Sequence, residues 1–89
     1  MISQEKIAEY LNISVDDVKS NNLRRGYDWI HKKTGNIYTL ENFVIDATNS
    51  TEGRLMVVYS KNERKDINLY ARELKEFLEK FYSPKERVK

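Results

Sequence analysis

The spacing of apolar residues changes at about residue 27, from a helical period to the alternation of a β-strand. Before that point Ile7, Ala8 and Leu11 share one helical face, whereas after it apolar and polar residues alternate. One period fits a helix and the other fits a sheet, so the chain must combine both. We therefore predict an α+β fold, in one domain because 89 residues supply a single modest core.

Residues 1–26 are predicted to form an extension of two short helices. Ser3 is placed to cap the first helix, and Asn12 suits the left-handed exit that ends it. Ser14 followed by Asp17 resembles a capping box at the start of the second helix. This second helix is expected to end near residue 26.

Strand signals follow in the middle of the chain. Residues 27–31 form a candidate strand, and Gly35 can take the positive φ of the turn after it. Between residues 37 and 47 the apolar positions change phase, which predicts a β-bulge near Glu41 and Asn42. Residues 55–59 form the most regular predicted strand, rich in β-branched and aromatic side chains.

The C-terminal part fits two structures. One helix over residues 67–82 would place its apolar residues in a stripe. Alternatively, residues 67–71 alternate as a short strand that leads into a helix from about residue 73. Pro84 ends the helix in either case, and residues 83–89 form a charged tail.

Residues 4–23, QEKIAEYLNISVDDVKSNNL, resemble the helix-turn-helix signature of excisionase-like and repressor domains. The resemblance implies a winged-helix DNA-binding regulator, with residues 27–40 as a basic wing. In that fold Asn21 stands where a third apolar anchor is expected. Asp16 and Asp17 open the helix that would face the phosphates, to which carboxylates are poorly suited.

Residues 31–81 resemble a family of short bacterial and phage proteins catalogued as a domain of unknown function. The family implies an SH3-like small barrel, here over residues 27–82. The span between Tyr38 and Ala47 is about two residues longer than usual, at the predicted bulge, and Glu73 replaces a proline. The matching residues, in order, are His31, Lys33, Gly35, Tyr38, Ala47, Thr51-Glu52-Gly53, Val57-Val58-Tyr59, Tyr70-Ala71-Arg72, Leu74 and Phe77.

The predicted architecture is thus an N-terminal helical pair, a curved antiparallel sheet or SH3-like barrel, and a C-terminal helix. With no cysteine and one histidine, the chain lacks the usual ligands for tight zinc or copper binding. No catalytic or phosphate-loop motif is present, so we expect no enzyme activity, cofactor or metal. The longest apolar run, residues 55–59, is far below the ~20 residues of a membrane span, and no leader opens the chain. We expect a cytoplasmic protein.

Cationic and aromatic side chains supply the candidate ligand-binding residues, because cations hold phosphates and rings stack on bases. Trp29 is also a candidate core anchor, and the tyrosines form one face only if their strands lie side by side. Arg72 lies on an apolar segment and is predicted to form a structural ion pair with Glu52. The candidate ligand-binding residues are Arg24, Arg25, Trp29, His31, Lys32, Lys33, Tyr38, Tyr59, Arg64, Lys65 and Tyr70.

These observations predict a non-enzymatic binding module, in keeping with the phage or mobile-element resemblance. A net charge of only +2 leaves its ligand open between nucleic acid and a host or phage protein. A protein partner would use a sheet edge or the exposed side of the C-terminal helix. The winged-helix regulator is the alternative, and it requires Lys19, Ser20 and the turn at Lys32 on one face.

Overall fold

Three helices and five strands make up the chain in a computed structural model that describes residues 2–47, 53–61 and 68–84. The predicted α+β class is confirmed. The helical pair comes first, the sheet follows, and the last helix lies between the final two strands. The elements are α1 (Gln4–Leu11), α2 (Val15–Ser20), β1 (Asp28–His31), β2 (Ile37–Ile45), β3 (Leu55–Lys61), β4 (Leu69–Glu73), α3 (Leu74–Lys80) and β5 (Phe81–Tyr82).

Both predicted helix caps are formed. Ser3 accepts a hydrogen bond from the Lys6 N–H at 3.2 Å, and Ser14 accepts one from the Asp17 N–H at 3.0 Å. Asn12 leaves α1 in the left-handed conformation, with φ of 58°. Local side-chain chemistry therefore determines where each helix begins and where α1 ends.

The prediction that the second helix reaches residue 26 is wrong, because α2 ends at Ser20. The Asn21 side chain donates a hydrogen bond to the Asp17 carbonyl at 2.8 Å. Asn22 then takes the left-handed conformation, with φ of 59°. Asparagine side chains compete for backbone partners in this way, which ends a helix. Leu23 is nonetheless buried, as expected.

The sheet is antiparallel in the order β4-β3-β2-β1-β5. The predicted bulge is confirmed, because Leu40 pairs with Tyr59 whereas Asn42 pairs with Val58, so one residue of β2 has no partner. This extra residue lets Leu40 and Phe43, on its two sides, both enter the core.

The C-terminal alternatives are resolved in favour of a strand followed by a helix. Glu73 ends β4 with extended backbone, and its carboxylate accepts hydrogen bonds from the Lys75 and Glu76 N–H groups. This cap starts α3 at Leu74. The strand β5 was not predicted, because Phe81 continues the apolar stripe of the helix. Phe81 instead turns extended and pairs with His31.

The sheet curves strongly around its core. A flat sheet would separate β3 from β5 by three strand spacings, or roughly 14 Å. The ring centroids of Tyr59 and Phe81, one on each of these strands, are nevertheless 5.1 Å apart. Arg72 of β4 lies 5.9 Å from the same Phe81 ring. The sheet is open, however, with β4 and β5 at its edges, so a closed barrel is not confirmed.

One core joins the N-terminal helices to the sheet. Ile7, Ala8 and Val18 of the helical pair are buried in the same cluster as Leu40, Val57 and Phe77. None of the helices in the parts of the chain that the structure describes has the length and apolar character to cross a membrane. The remaining buried core residues are Leu23, Trp29, Phe43, Leu55, Tyr59, Leu74 and Phe81.

A hydrogen bond ties α1 to the junction of β4 and α3. The Tyr10 hydroxyl donates to Glu73 Oε2 at 2.7 Å, and the Lys75 ammonium lies 5.0 Å from the Tyr10 ring. Burial opposes ionisation of Glu73, but the N–H groups of Lys75 and Glu76 and the Tyr10 hydroxyl outweigh it and lower the pKa of Glu73. Burial and the bond to Glu73 raise the pKa of Tyr10.

We expect Tyr10→Phe and Glu73→Gln each to lower the free energy of unfolding. A double-mutant cycle in urea should give a coupling of about 0.5–1.5 kcal/mol between these residues, the range for one hydrogen bond. The controls are Tyr82→Phe and Glu79→Gln, which change exposed residues of the same types. A coupling no larger than that of the control pair would show that the hydrogen bond between Tyr10 and Glu73 does not stabilise the fold.

The same bond predicts a dependence on pH. The folded pKa of Glu73 lies below its ordinary value of 4.5, so its stabilising effect is present above pH 4.5. That effect is lost as the pH falls through the folded pKa. The stability difference between wild type and Glu73→Gln should therefore shrink when urea unfolding is measured at pH 3 instead of pH 7. An unchanged difference would show that the carboxylate is not the stabilising form.

Candidate ligand-binding surface

The strands that carry Tyr38, Tyr59 and Tyr70 lie side by side, which the sequence analysis required if these tyrosines are to form one aromatic face. We call these three residues the tyrosine cluster. The Tyr59 and Tyr70 rings stack with centroids 5.7 Å apart, and Tyr38 meets both edge-on, at 5.4 Å from Tyr59 and 6.2 Å from Tyr70. Tyr59 is buried, Tyr38 is half-buried and Tyr70 is 38% exposed. The cluster thus presents Tyr70 and part of Tyr38 to solvent, above a buried tyrosine.

Arg72 borders the tyrosine cluster and is held by two acceptors. Its Nε donates to the Tyr59 hydroxyl at 3.3 Å, and its Nη1 donates to Glu76 Oε1 at 2.8 Å. The bond to Tyr59 raises the pKa of Arg72, burial opposes this, and Glu76 adds to the rise. The predicted partner Glu52 lies outside the described residues. The carboxylate that pairs with Arg72 here is Glu76, one helical turn further along the chain.

A shallow basic depression adjoins this cluster at the end of the sheet. The β1–β2 turn supplies three of its residues, and Gly35 closes that turn with φ of 76° and an N–H bonded to the His31 carbonyl at 2.8 Å. The Lys32 N–H donates to the Lys80 carbonyl at 2.9 Å, which brings the end of α3 beside the turn. The depression has a volume of about 380 Å³ and is lined by His31, Lys32, Lys33, Arg72 and Lys80, with Glu79 as the one carboxylate that the described part of the chain contributes.

His31 has a structural position within this depression. Its Nδ1 is 3.2 Å from the Thr34 hydroxyl, and its ring meets Phe81 edge-on at 4.9 Å. His31 also pairs with Phe81 across the β1–β5 ladder. These contacts orient the half-buried ring, and the neighbouring Lys32 and Lys33 are both exposed.

The other predicted candidates lie apart from this surface. Trp29 is only 3% exposed and its ring meets Phe77 at 5.2 Å, so it is the core anchor and offers no free face for stacking. Arg24 and Arg25 precede β1 and line a separate depression beside α1, whereas the lysines of the turn follow β1 and line the basic depression. The two pairs therefore belong to different surfaces. Arg64 and Lys65 lie outside the described residues.

Two residues that line the depression, Glu79 and Lys80, were not predicted from the sequence. Lys80 lies there because α3 ends beside the turn, and buried Phe81 supports the His31 ring edge-on because β5 returns to β1. A basic residue in the last turn of a helix was the one available signal for Lys80. The position of Phe81 depends on a strand of two residues, too short to produce a pattern.

Comparisons with protein-family models, curated proteins and solved structures found no match to this chain. Within residues 2–47, 53–61 and 68–84, no three potential metal ligands gather at one point. The hairpin interpreted as a wing lies inside the sheet, with β1 paired to both β2 and β5. What the surface offers is cationic and aromatic chemistry at one end of a curved sheet.

The bond between Arg72 and Tyr59 predicts a difference between two otherwise similar tyrosine variants. Tyr59→Phe removes a buried acceptor of the guanidinium and should lower the unfolding free energy by about 1 kcal/mol. Tyr38→Phe keeps the same ring contacts and loses a half-buried hydroxyl, so it should cost less than half as much. Thermal unfolding of both variants measures this. Equal losses would contradict a specific role for the bond.

Proposed function

We propose that this protein is a non-enzymatic binding module for single-stranded nucleic acid, held on the tyrosine cluster and the basic depression. The observation that carries the proposal is their adjacency, through Arg72, which borders one and lines the other. Three lysines, Lys32, Lys33 and Lys80, line the depression with Glu79 as the one carboxylate among its described lining residues, and Arg72 beside them is paired with Glu76. Tyr70 and Tyr38 lie beside them with part of their rings exposed.

Single-stranded nucleic acid suits this arrangement because its backbone and bases are both accessible. Cations along a groove hold successive phosphates, and each exposed ring accepts a stacked base of any sequence. In duplex DNA the bases are stacked on each other and cannot reach Tyr70. The proposal therefore implies a preference for single strands, without strong sequence specificity.

The SH3-like barrel is part of the same proposal. The bulge in β2, the return of β5 to β1 and the short Tyr59–Phe81 distance support a sheet that curves nearly around its core. Small barrels with such sheets bind strands and extended peptides on their faces. The resemblance of residues 31–81 to the short bacterial and phage family agrees with this architecture.

Fluorescence anisotropy with a labelled ten-nucleotide single strand tests the function. Affinity should fall steeply between 50 and 200 mM salt, with a log–log slope near −2 if the three lysines each neutralise a phosphate, at roughly 0.7 per contact. Lys33→Gln with Lys80→Gln should reduce that slope by about 1.4. Tyr70→Ala should weaken binding at least fivefold, since base stacking contributes about 1–3 kcal/mol.

The matched control is Arg24→Gln with Arg25→Gln, which removes the same charge at the other end of β1. This pair should change affinity for the short strand by less than twofold. If both double variants lose affinity equally, binding reflects net charge and the assigned surface is wrong. If no salt-dependent binding appears at tens of micromolar protein, nucleic acid is not the ligand.

A protein-interaction adaptor is the second candidate, favoured by the outer face of the sheet. At outward positions on three strands, Ile37 is 41% exposed, Leu69 is 65% exposed and Tyr82 is 47% exposed. Apolar residues at such positions are typical of interaction surfaces. Leu69 also lies on β4, an edge strand that can pair with an added strand.

A nuclease-treated pull-down from host lysate distinguishes this second candidate. A stoichiometric protein partner that is retained by wild type and lost with Ile37→Lys and Leu69→Lys would favour the adaptor. Retention of the same partner by Lys33→Gln with Lys80→Gln would separate that surface from the nucleic-acid surface. If the outer-face variant retains every partner, the outer face is not the adaptor surface.

A further inference from the structure

A larger concave surface lies between the helical pair and the segment formed by α3 and β5. We call it the interhelical groove. Buried Leu23, Trp29 and Phe81 form its floor. Its volume of about 820 Å³ is within the range of roughly 300–1,000 Å³ that small-molecule sites occupy. The half-buried residues Leu11, Ile13 and Leu78 form the apolar part of its walls. The other residues that line it are Ser20, Asn21, Asn22, Lys32, Tyr82 and Ser83.

A side-chain bond holds the two walls of the groove at a fixed distance. The Asn22 amide donates to the Ser83 hydroxyl at 2.7 Å and to the Pro84 carbonyl at 3.4 Å. Asn22 follows α2, whereas Ser83 follows β5, so these bonds cross from one wall to the other. The apolar walls therefore cannot close on each other while this bond is formed.

Among the described residues that line the groove, Lys32 is the one with a formal charge. Its backbone N–H is bonded to the Lys80 carbonyl at 2.9 Å, which fixes where the side chain begins. The exposed ammonium forms no salt bridge within the described ranges. A groove with apolar walls and one unpaired cation at its rim complements a ligand that is apolar and carries one negative charge.

Trp29 provides a spectroscopic reporter of the groove. It belongs to the groove floor, so a molecule bound there changes the surroundings of its indole ring. Its indole N–H is buried and has no hydrogen-bond acceptor among the residues that the structure describes.

We propose that the interhelical groove binds a small apolar monocarboxylate of the fatty-acid type. Its apolar body lies along the floor, and its carboxylate meets Lys32 at the rim. A small molecule fits better than a polypeptide strand, because the bond between Asn22 and Ser83 crosses the groove and limits its length. This site is independent of the proposed nucleic-acid function, although Lys32 lines both concave surfaces.

The test uses decanoate below its micelle-forming concentration, with the full chain in solution. Trp29 is the only tryptophan, so its fluorescence reports the groove without labelling. We expect a saturable 1:1 change in its emission. The single indole N–H resonance should shift along the same binding curve, because the bound alkyl chain changes the surroundings of the indole ring.

Two comparisons test the role of charge. Lys32→Gln should weaken decanoate binding about fivefold, whereas Lys33→Gln, one residue along and not part of the groove, should change it by less than twofold. Decanol, which lacks the carboxylate, should bind wild type about fivefold more weakly than decanoate. That difference should disappear in Lys32→Gln.

Three results would overturn the proposal: no saturable change of Trp29 emission up to millimolar decanoate, equal binding of decanoate and decanol, or equal losses in the two lysine variants. Circular dichroism of each variant verifies that the fold is kept. Lys33→Gln with Lys80→Gln separates this site from the proposed function, since it should lose oligonucleotide affinity and keep decanoate affinity. If it loses both, the groove is not a separate site.

Discussion

The extra residue in β2 keeps both halves of that strand facing one core. Leu40 and Phe43 are three positions apart and both buried, whereas in an uninterrupted strand they would face opposite sides. Glu41 is the extra residue that has no partner across the ladder, and its carboxylate accepts a hydrogen bond from Ser60 on the neighbouring strand. Because β2 pairs with β1 on one side and β3 on the other, its register sets the position of most of the sheet.

The curvature of the sheet allows α3 to divide its concave side into two surfaces. Phe77 of α3 stacks on Phe81 with centroids 4.4 Å apart, which fixes the helix over the middle of the core. On one side of this segment lie the tyrosine cluster and the basic depression, and on the other lies the interhelical groove. Lys32 stands where the depression and the groove meet. Two chemically different ligands are thus proposed for one small domain, on either side of its last helix.

Glu73 connects the N-terminal helices to the sheet and also starts the last helix. Its carboxylate accepts the Tyr10 hydroxyl and caps α3 through two backbone N–H groups. A proline here could also break the strand before the helix, but it has no side-chain oxygen to offer Tyr10. The glutamate therefore both starts α3 and holds the N-terminal helices against the sheet.

Local patterns along the chain determined the helix caps, the bulge and the α+β class, because each depends on neighbours within a few residues. Ser3 and Asn12 act on adjacent backbone groups, and the phase change around Glu41 is visible within a single strand. Only the tertiary structure decided that β5 exists, that the Tyr59 hydroxyl accepts a hydrogen bond from Arg72, and that Lys80 lies beside the β1–β2 turn. These features depend on how far the sheet curves and where α3 returns, and such distances between remote segments leave no periodic signal in the sequence.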